Sequence, residues 1–67
     1  MIFLLRKTNN GSLMVRFENS IISNEDLFIL TYKPDNLNEE IVTLGSYKTI
    51  EEAKEYSNNY SEEQLPS

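Results

Sequence analysis

The sequence contains neither cysteine nor histidine. Disulfides are therefore impossible, and the usual nitrogen and sulfur ligands of a structural zinc are missing. These are the supports on which very short chains often rely. A chain of 67 residues buries only about 60% of the surface its unfolded form exposes. Its core supplies about 3–5 kcal/mol of net stability. Association with a partner or a second copy is the remaining form of help. A monomer of idealised hairpins is the alternative. The absence of cysteine also fits a reducing compartment.

Long apolar runs are lacking too. The stretch Met1-Ile2-Phe3-Leu4-Leu5 stops at Arg6-Lys7, whereas a secretory leader places its basic residues ahead of a longer apolar segment. No stretch approaches the length needed to span a bilayer. The expectation is a cytoplasmic protein (in the host cytoplasm if of phage origin) with no membrane partner.

The missing residue types remove most routes to catalysis. General acid–base and nucleophilic chemistry draw on His, Cys, an activated Ser, Lys or paired carboxylates in a cleft. The serines here have no base beside them. The acid pairs Glu25-Asp26, Glu39-Glu40, Glu51-Glu52 and Glu62-Glu63 are sequence neighbours, which diverge on a strand or a helix. They read as solvated charges. Glycine occurs only at Gly11 and Gly45, so no glycine-rich phosphate loop exists, and calcium-loop spacing is absent. The expectation is a non-enzyme with no cofactor and no metal.

What is present is strand-forming sequence and segregated charge. Residues 1–17 carry Arg6, Lys7 and Arg16 without an acid, and the remainder carries eleven acids against three lysines, giving the overall −5. That total disfavours direct nucleic-acid binding, because such affinity comes mainly from neutralised phosphates. Only the basic first hairpin offers a local exception.

Asn10-Gly11 between two β-prone runs predicts a tight hairpin, since both residues tolerate positive φ. Strands are expected at 2–8 and 13–19. With Asn10-Gly11 as the loop, Leu4 faces Phe17, Arg6 faces Val15, Phe3 faces Glu18, Leu5 faces Arg16 and Lys7 faces Met14. One face then carries Ile2, Leu4, Leu13, Val15 and Phe17 as core. The other carries Phe3, Leu5 and Met14 among Lys7, Arg16 and Glu18. Residues 19–26 form a polar connection. Leu27–Tyr32 reads as a strand apolar on both sides, Lys33-Pro34-Asp35-Asn36 as a turn, and residues 40–44 as a fourth strand ending near Gly45.

Thr49-Ile50-Glu51-Glu52 fits a capping box and starts a helix over about 50–60. Its stripe is Ile50, Ala53, Tyr56, Ser57 and Tyr60. Residues 1–60 are thus expected to form a single α+β domain. Its fold is an antiparallel β-meander of three to four strands in sequential order, closed by a C-terminal helix on one face. Residues 61–67 are expected to form a flexible acidic tail.

The segment Gly45-Ser46-Tyr47-Lys48-Thr49-Ile50-Glu51-Glu52-Ala53 resembles the strand-to-helix ending of arm-type DNA-binding domains of tyrosine recombinases. The resemblance spans nine residues and implies a sheet followed by a C-terminal helix. In size, asparagine content and lack of catalytic residues, the chain also resembles phage and mobile-element proteins that inhibit a host factor, anti-CRISPR proteins among them.

One short helix covers one side of such a sheet. The second side is expected to expose Phe3, Leu5 and Met14 with either the Leu27/Ile29 or the Phe28/Leu30/Tyr32 set. A contiguous apolar patch marks an interaction site. The leading expectation is a small acidic protein-binding inhibitor of anti-CRISPR type. It would use Phe3, Leu5, Lys7, Met14 and Arg16, acting by steric occlusion. Glu51, Glu52 and Glu55 would add a second contact or imitate a row of phosphates, the latter suiting a nucleic-acid-binding protein as partner. The alternatives are a nucleic-acid reader using Arg6, Lys7 and Arg16, and a self-associating homodimer with a structural or regulatory role.

Overall fold

The computed structural model describes residues 2–61 and 64–65. Four strands, β1 (Ile2–Lys7), β2 (Gly11–Ser20), β3 (Glu25–Pro34) and β4 (Val42–Tyr47), are followed by α1 (Ile50–Ser57). They form one antiparallel sheet in the order β1-β2-β3-β4, with α1 on one face. The α+β meander expected from the sequence is the fold.

The first hairpin differs in detail. Thr8 N–H donates to the Gly11 carbonyl at 2.9 Å, so Asn9 and Asn10 form the loop and Gly11 opens β2. No described glycine has positive φ, and the only other described residue with positive φ is Asn24. Glycine at 11 therefore serves packing. A β-carbon there would lie 2.5 Å from the Lys33 carbonyl oxygen and 2.6 Å from the Tyr32 ring.

Moving the loop shifts the register. Ile2 pairs with Arg16, Phe3 with Val15 and Leu4 with Met14. This differs by an odd number of positions from the expected pairing, so residues 2–4 change sides. The β-bulge at Leu5 is the cause: between it and the loop, Arg6 pairs with Leu13 and Lys7 with Ser12, a shift of two positions that keeps the expected sides. The bulge has no composition signature in the sequence, which is why the register was misread.

The second hairpin is longer than expected. β2 and β3 stay paired to Ser20–Glu25, leaving a four-residue loop, Ile21–Asn24. Asn24 turns the chain at φ 53°. Asn19 Nδ2 donates to Asp26 Oδ1 at 2.6 Å, which ties the two strand ends together. β3 runs to Pro34, opposite Gly11. β4 runs past Gly45 to Tyr47, with an irregularity at Leu44 between the Leu30 and Thr31 pairings.

The helix starts as its capping sequence demands. Thr49 is extended (φ −133°, ψ 155°) and its hydroxyl accepts from Glu52 N–H at 3.2 Å. It ends at Ser57, earlier than the apolar stripe suggests, and Arg6 meets the carbonyls at and just beyond this end. Its guanidinium donates to Ser57 O at 3.2 Å and Tyr60 O at 2.7 Å. A cation there is favoured by the helix dipole.

The core lies between α1 and one face of the sheet. Leu13, Val15, Leu30, Tyr32 and Ala53 are buried there. Leu65 belongs to the same cluster as Leu13 and Tyr32, with Leu44 and Tyr60 packed against it. The expected tail thus returns one residue to the core; Glu62, Glu63, Pro66 and Ser67 lie outside the described residues.

Candidate interaction surface

Side chains opposite one another in a ladder share a face, so the pairings sort the whole sheet. Phe3, Val15, Leu30 and Gly45 form one row towards the helix. Arg6, Leu13, Tyr32 and Val42 form another, as do Phe17, Phe28 and Tyr47. The Phe17 and Phe28 rings lie 5.3 Å apart.

The opposite face has no element over it among the described residues. Its rows run Ile2–Arg16–Ile29–Ser46, Leu4–Met14–Thr31–Thr43 and Lys7–Ser12–Lys33, with Glu18 beside Leu27. Ile2 is 59% exposed and Leu4 64%, while Met14, Ile29 and Leu27 are half-buried by their neighbours. Thr31 Oγ1 donates to the Met14 carbonyl at 3.4 Å, which removes a polar demand from the middle of the strip. The face is thus an apolar band with Arg16 set within it and Lys7 and Lys33 at one end.

These cations are partly paired. Arg16 Nε lies 3.1 Å from Glu18 Oε1. Lys7 Nζ donates to Asp35 at 2.8 Å and to the Gly11 carbonyl at 2.8 Å, pinning the first hairpin to the end of β3. Lys33, across Ser12 from Lys7, is exposed.

Of the residues expected to form this surface, Met14, Arg16 and Lys7 lie on it. Phe3 does not. It sits opposite Val15 on the helix side, at the sheet edge and 38% exposed. Leu5 occupies the bulge and lines an open groove of about 370 Å³ with Leu4, Arg6, Lys54, Ser57 and Asn58. Ile2 and Leu4, assigned to the core by the misplaced register, supply the exposed apolar side chains instead. Of the two possible β3 sets, Leu27 and Ile29 face outwards. The odd-numbered face could have been chosen from Gly11 and Pro34, whose pairing puts residues 28, 30 and 32 on the side of Leu13.

Glu51, Glu52 and Glu55 are exposed on α1, which lies on the far side of the sheet. They cannot share one flat contact with Met14 and Arg16. Near them, Tyr47 and Tyr56 stack with ring centroids 4.8 Å apart. Burial, then the neighbouring Tyr60 and Tyr56 and the Glu52 carboxylate, holds the Tyr47 hydroxyl above its ordinary pKa.

Among the described residues, no group of three or more Asp or Glu could hold a metal ion, and no helix is long and apolar enough to cross a membrane. No protein family, curated protein or solved structure matches the chain.

Proposed function

We propose that the chain is a protein-binding module that docks its partner on the open face of the sheet. The observation that carries this reading is the set Ile2, Leu4, Met14 and Ile29, which lies outside the core, with Arg16 between Ile2 and Ile29 and with Lys7 and Lys33 at one end. Apolar residues in a contiguous exposed patch favour association. The cations favour a partner whose apolar contact carries acids, because complementary charge steers encounter and excludes wrong partners. The action is steric: the bound module covers the partner's surface. Inhibition of a host or defence factor, as by an anti-CRISPR protein, is the use that suits a chain so small with no acid–base or nucleophilic side chains to spare.

The test is affinity capture from the native cell with wild type, Met14→Glu/Ile29→Glu and Glu51→Lys/Glu55→Lys, each checked for folding by its thermal melt. The reading requires one partner that is lost with the open-face pair and kept with the helix pair. Retention by a folded open-face variant overturns it.

A second reading has its own observation. Lys33 joins Lys7 and Arg16 on the same face, giving three cations for a phosphate backbone. That reading requires affinity for nucleic acid that falls steeply with salt; no mobility shift at low salt ends it. Phosphate mimicry by α1 gains nothing from the geometry, since the cap and helix dipole already account for Glu51 and Glu52 at the helix start.

A further inference from the structure

The sheet has two free edges among the described residues, β1 and β4. A free edge presents unpaired backbone donors and acceptors, and natural edges are defended by charge, proline or bulges. Ile2–Leu5 has neither charge nor proline, and its single defence is the bulge at Leu5. Val42–Tyr47 has neither charge nor proline, and its defence is the irregularity at Leu44. The charge lies at their ends, and β4 is followed directly by the exposed Lys48. β1 ends in Arg6-Lys7, and β4 is preceded by Glu39-Glu40-Ile41, all exposed.

We propose that these edges pair with each other between copies: β1 of one molecule adds to β4 of the next. The topology permits it directly. Each strand is antiparallel to its neighbour, so the first and fourth run in opposite directions. Copies in the same orientation therefore join antiparallel, with their helices on one side. Matching the faces sets Ile2 against Thr43, Phe3 against Val42 and Leu4 against Ile41. Beyond the Leu5 bulge, Arg6 and Lys7 meet Glu40 and Glu39. The Ile2–Thr43 and Phe3–Val42 pairs each join residues of one face; extending β4 back over residues 39–41, which precede it, brings the two cations to the two acids, with Lys7 leaving its Asp35 partner. Pairing β1 with β1, or β4 with β4, leaves these charges without opposite partners. Arg6 keeps its bonds to the end of α1; its positive charge remains beside the edge. The contact is heterologous, so it builds a ring or an open filament instead of stopping at two copies. It uses the sheet's edges; Ile2, Leu4 and Lys7 belong to both surfaces, whereas Met14 belongs to the open face alone.

The experiment is sedimentation equilibrium of the full chain over a concentration series, with folding of each variant checked by circular dichroism. The wild type should show a mean mass that rises past the dimer. Glu39→Lys/Glu40→Lys should lose association, and so should Lys7→Glu. Mixing these two variants should restore pairing, because the unaltered β1 of the first then meets the unaltered β4 of the second. Met14→Glu, on the open face, should associate as wild type. A wild type that stays monomeric overturns the proposal. So does assembly that stops at a dimer, folded Glu39→Lys/Glu40→Lys associating normally, or a mixture that stays monomeric. Loss of association in Met14→Glu also overturns it and assigns self-contact to the open face.

Discussion

Gly11 and Tyr32 lie in contact across the first two long strands: a β-carbon on residue 11 would fall 2.6 Å from the tyrosine hydroxyl oxygen. Tyr32 is itself fully buried, and the Lys33 carbonyl closes the other side at 2.5 Å. Neither neighbour can withdraw cheaply. Gly11→Ala should therefore destabilise the fold by about 1–3 kcal/mol, the usual cost of overpacking. Gly45→Ala meets chiefly the Tyr47 hydroxyl at 2.7 Å, the far end of a side chain that can shift, and should cost less. Urea unfolding of both variants checks the order. Equal costs would mean that the contact at residue 11 is not tight.

The same glycine explains how far the fold was legible. Alternation and β-propensity revealed four strands, and Thr49 with Glu52 revealed the helix start, because those signals act over a few adjacent residues. The register required knowing why Gly11 is glycine. Read as a turn residue it placed the loop one position late. In the fold it yields room to an aromatic ring that is distant in sequence, which no local pattern reports. That displacement alone keeps every face; the bulge at Leu5 supplies the odd step that turns Ile2 and Leu4 outwards and Phe3 towards the helix. The helix ends earlier than its stripe suggests, and the cation that meets that end, Arg6, comes from the opposite end of the chain. Met14, Arg16 and Lys7 lie on the open face as expected because β2 alternates without interruption and Lys7 lies between the loop and the bulge, where the shift is even.

Arg6 links the first strand to the last turn of the helix. Its guanidinium meets the Ser57 and Tyr60 carbonyls, while its Nε is buried with no partner among the described residues. Charged hydrogen bonds of this kind contribute about 1.5–3 kcal/mol each, offset here by the unsatisfied Nε. Arg6→Met should remove the bonds and the unpaired donor together. A net loss of about 1–3 kcal/mol is expected, with faster amide exchange in residues 57–60 than elsewhere in the helix. Uniform exchange along α1 would show that the contact does not hold the helix end.

Leu65 lies beyond the helix yet is only 7% exposed, against Leu13 and Tyr32. If this contact closes the core, Leu65→Ala should cost about 2 kcal/mol or more, as for other buried leucines. Ile22→Ala, at a fully exposed loop position, should change stability by no more than about 0.5 kcal/mol. Thermal melts of the two variants decide the matter. An unchanged melt for Leu65→Ala would return that residue to solvent.

Tyr47 gives the fold a dependence on alkaline pH. Its hydroxyl pKa is raised in the folded chain, first by burial and then by Tyr60, Tyr56 and Glu52. The unfolded tyrosine loses its proton at about 10, and the folded one holds it to higher pH. Below the unfolded value both states are protonated and the contribution is constant. Above it the unfolded state binds fewer protons than the folded state, so stability falls as pH rises until the folded pKa is passed. Lysines titrate over the same range, which makes Tyr47→Phe the necessary control. The wild type should lose more stability than Tyr47→Phe between pH of about 9 and 11, a window bracketing the unfolded tyrosine pKa. Parallel pH profiles for the two proteins would show that Tyr47 ionises as freely in the folded chain as in the unfolded one.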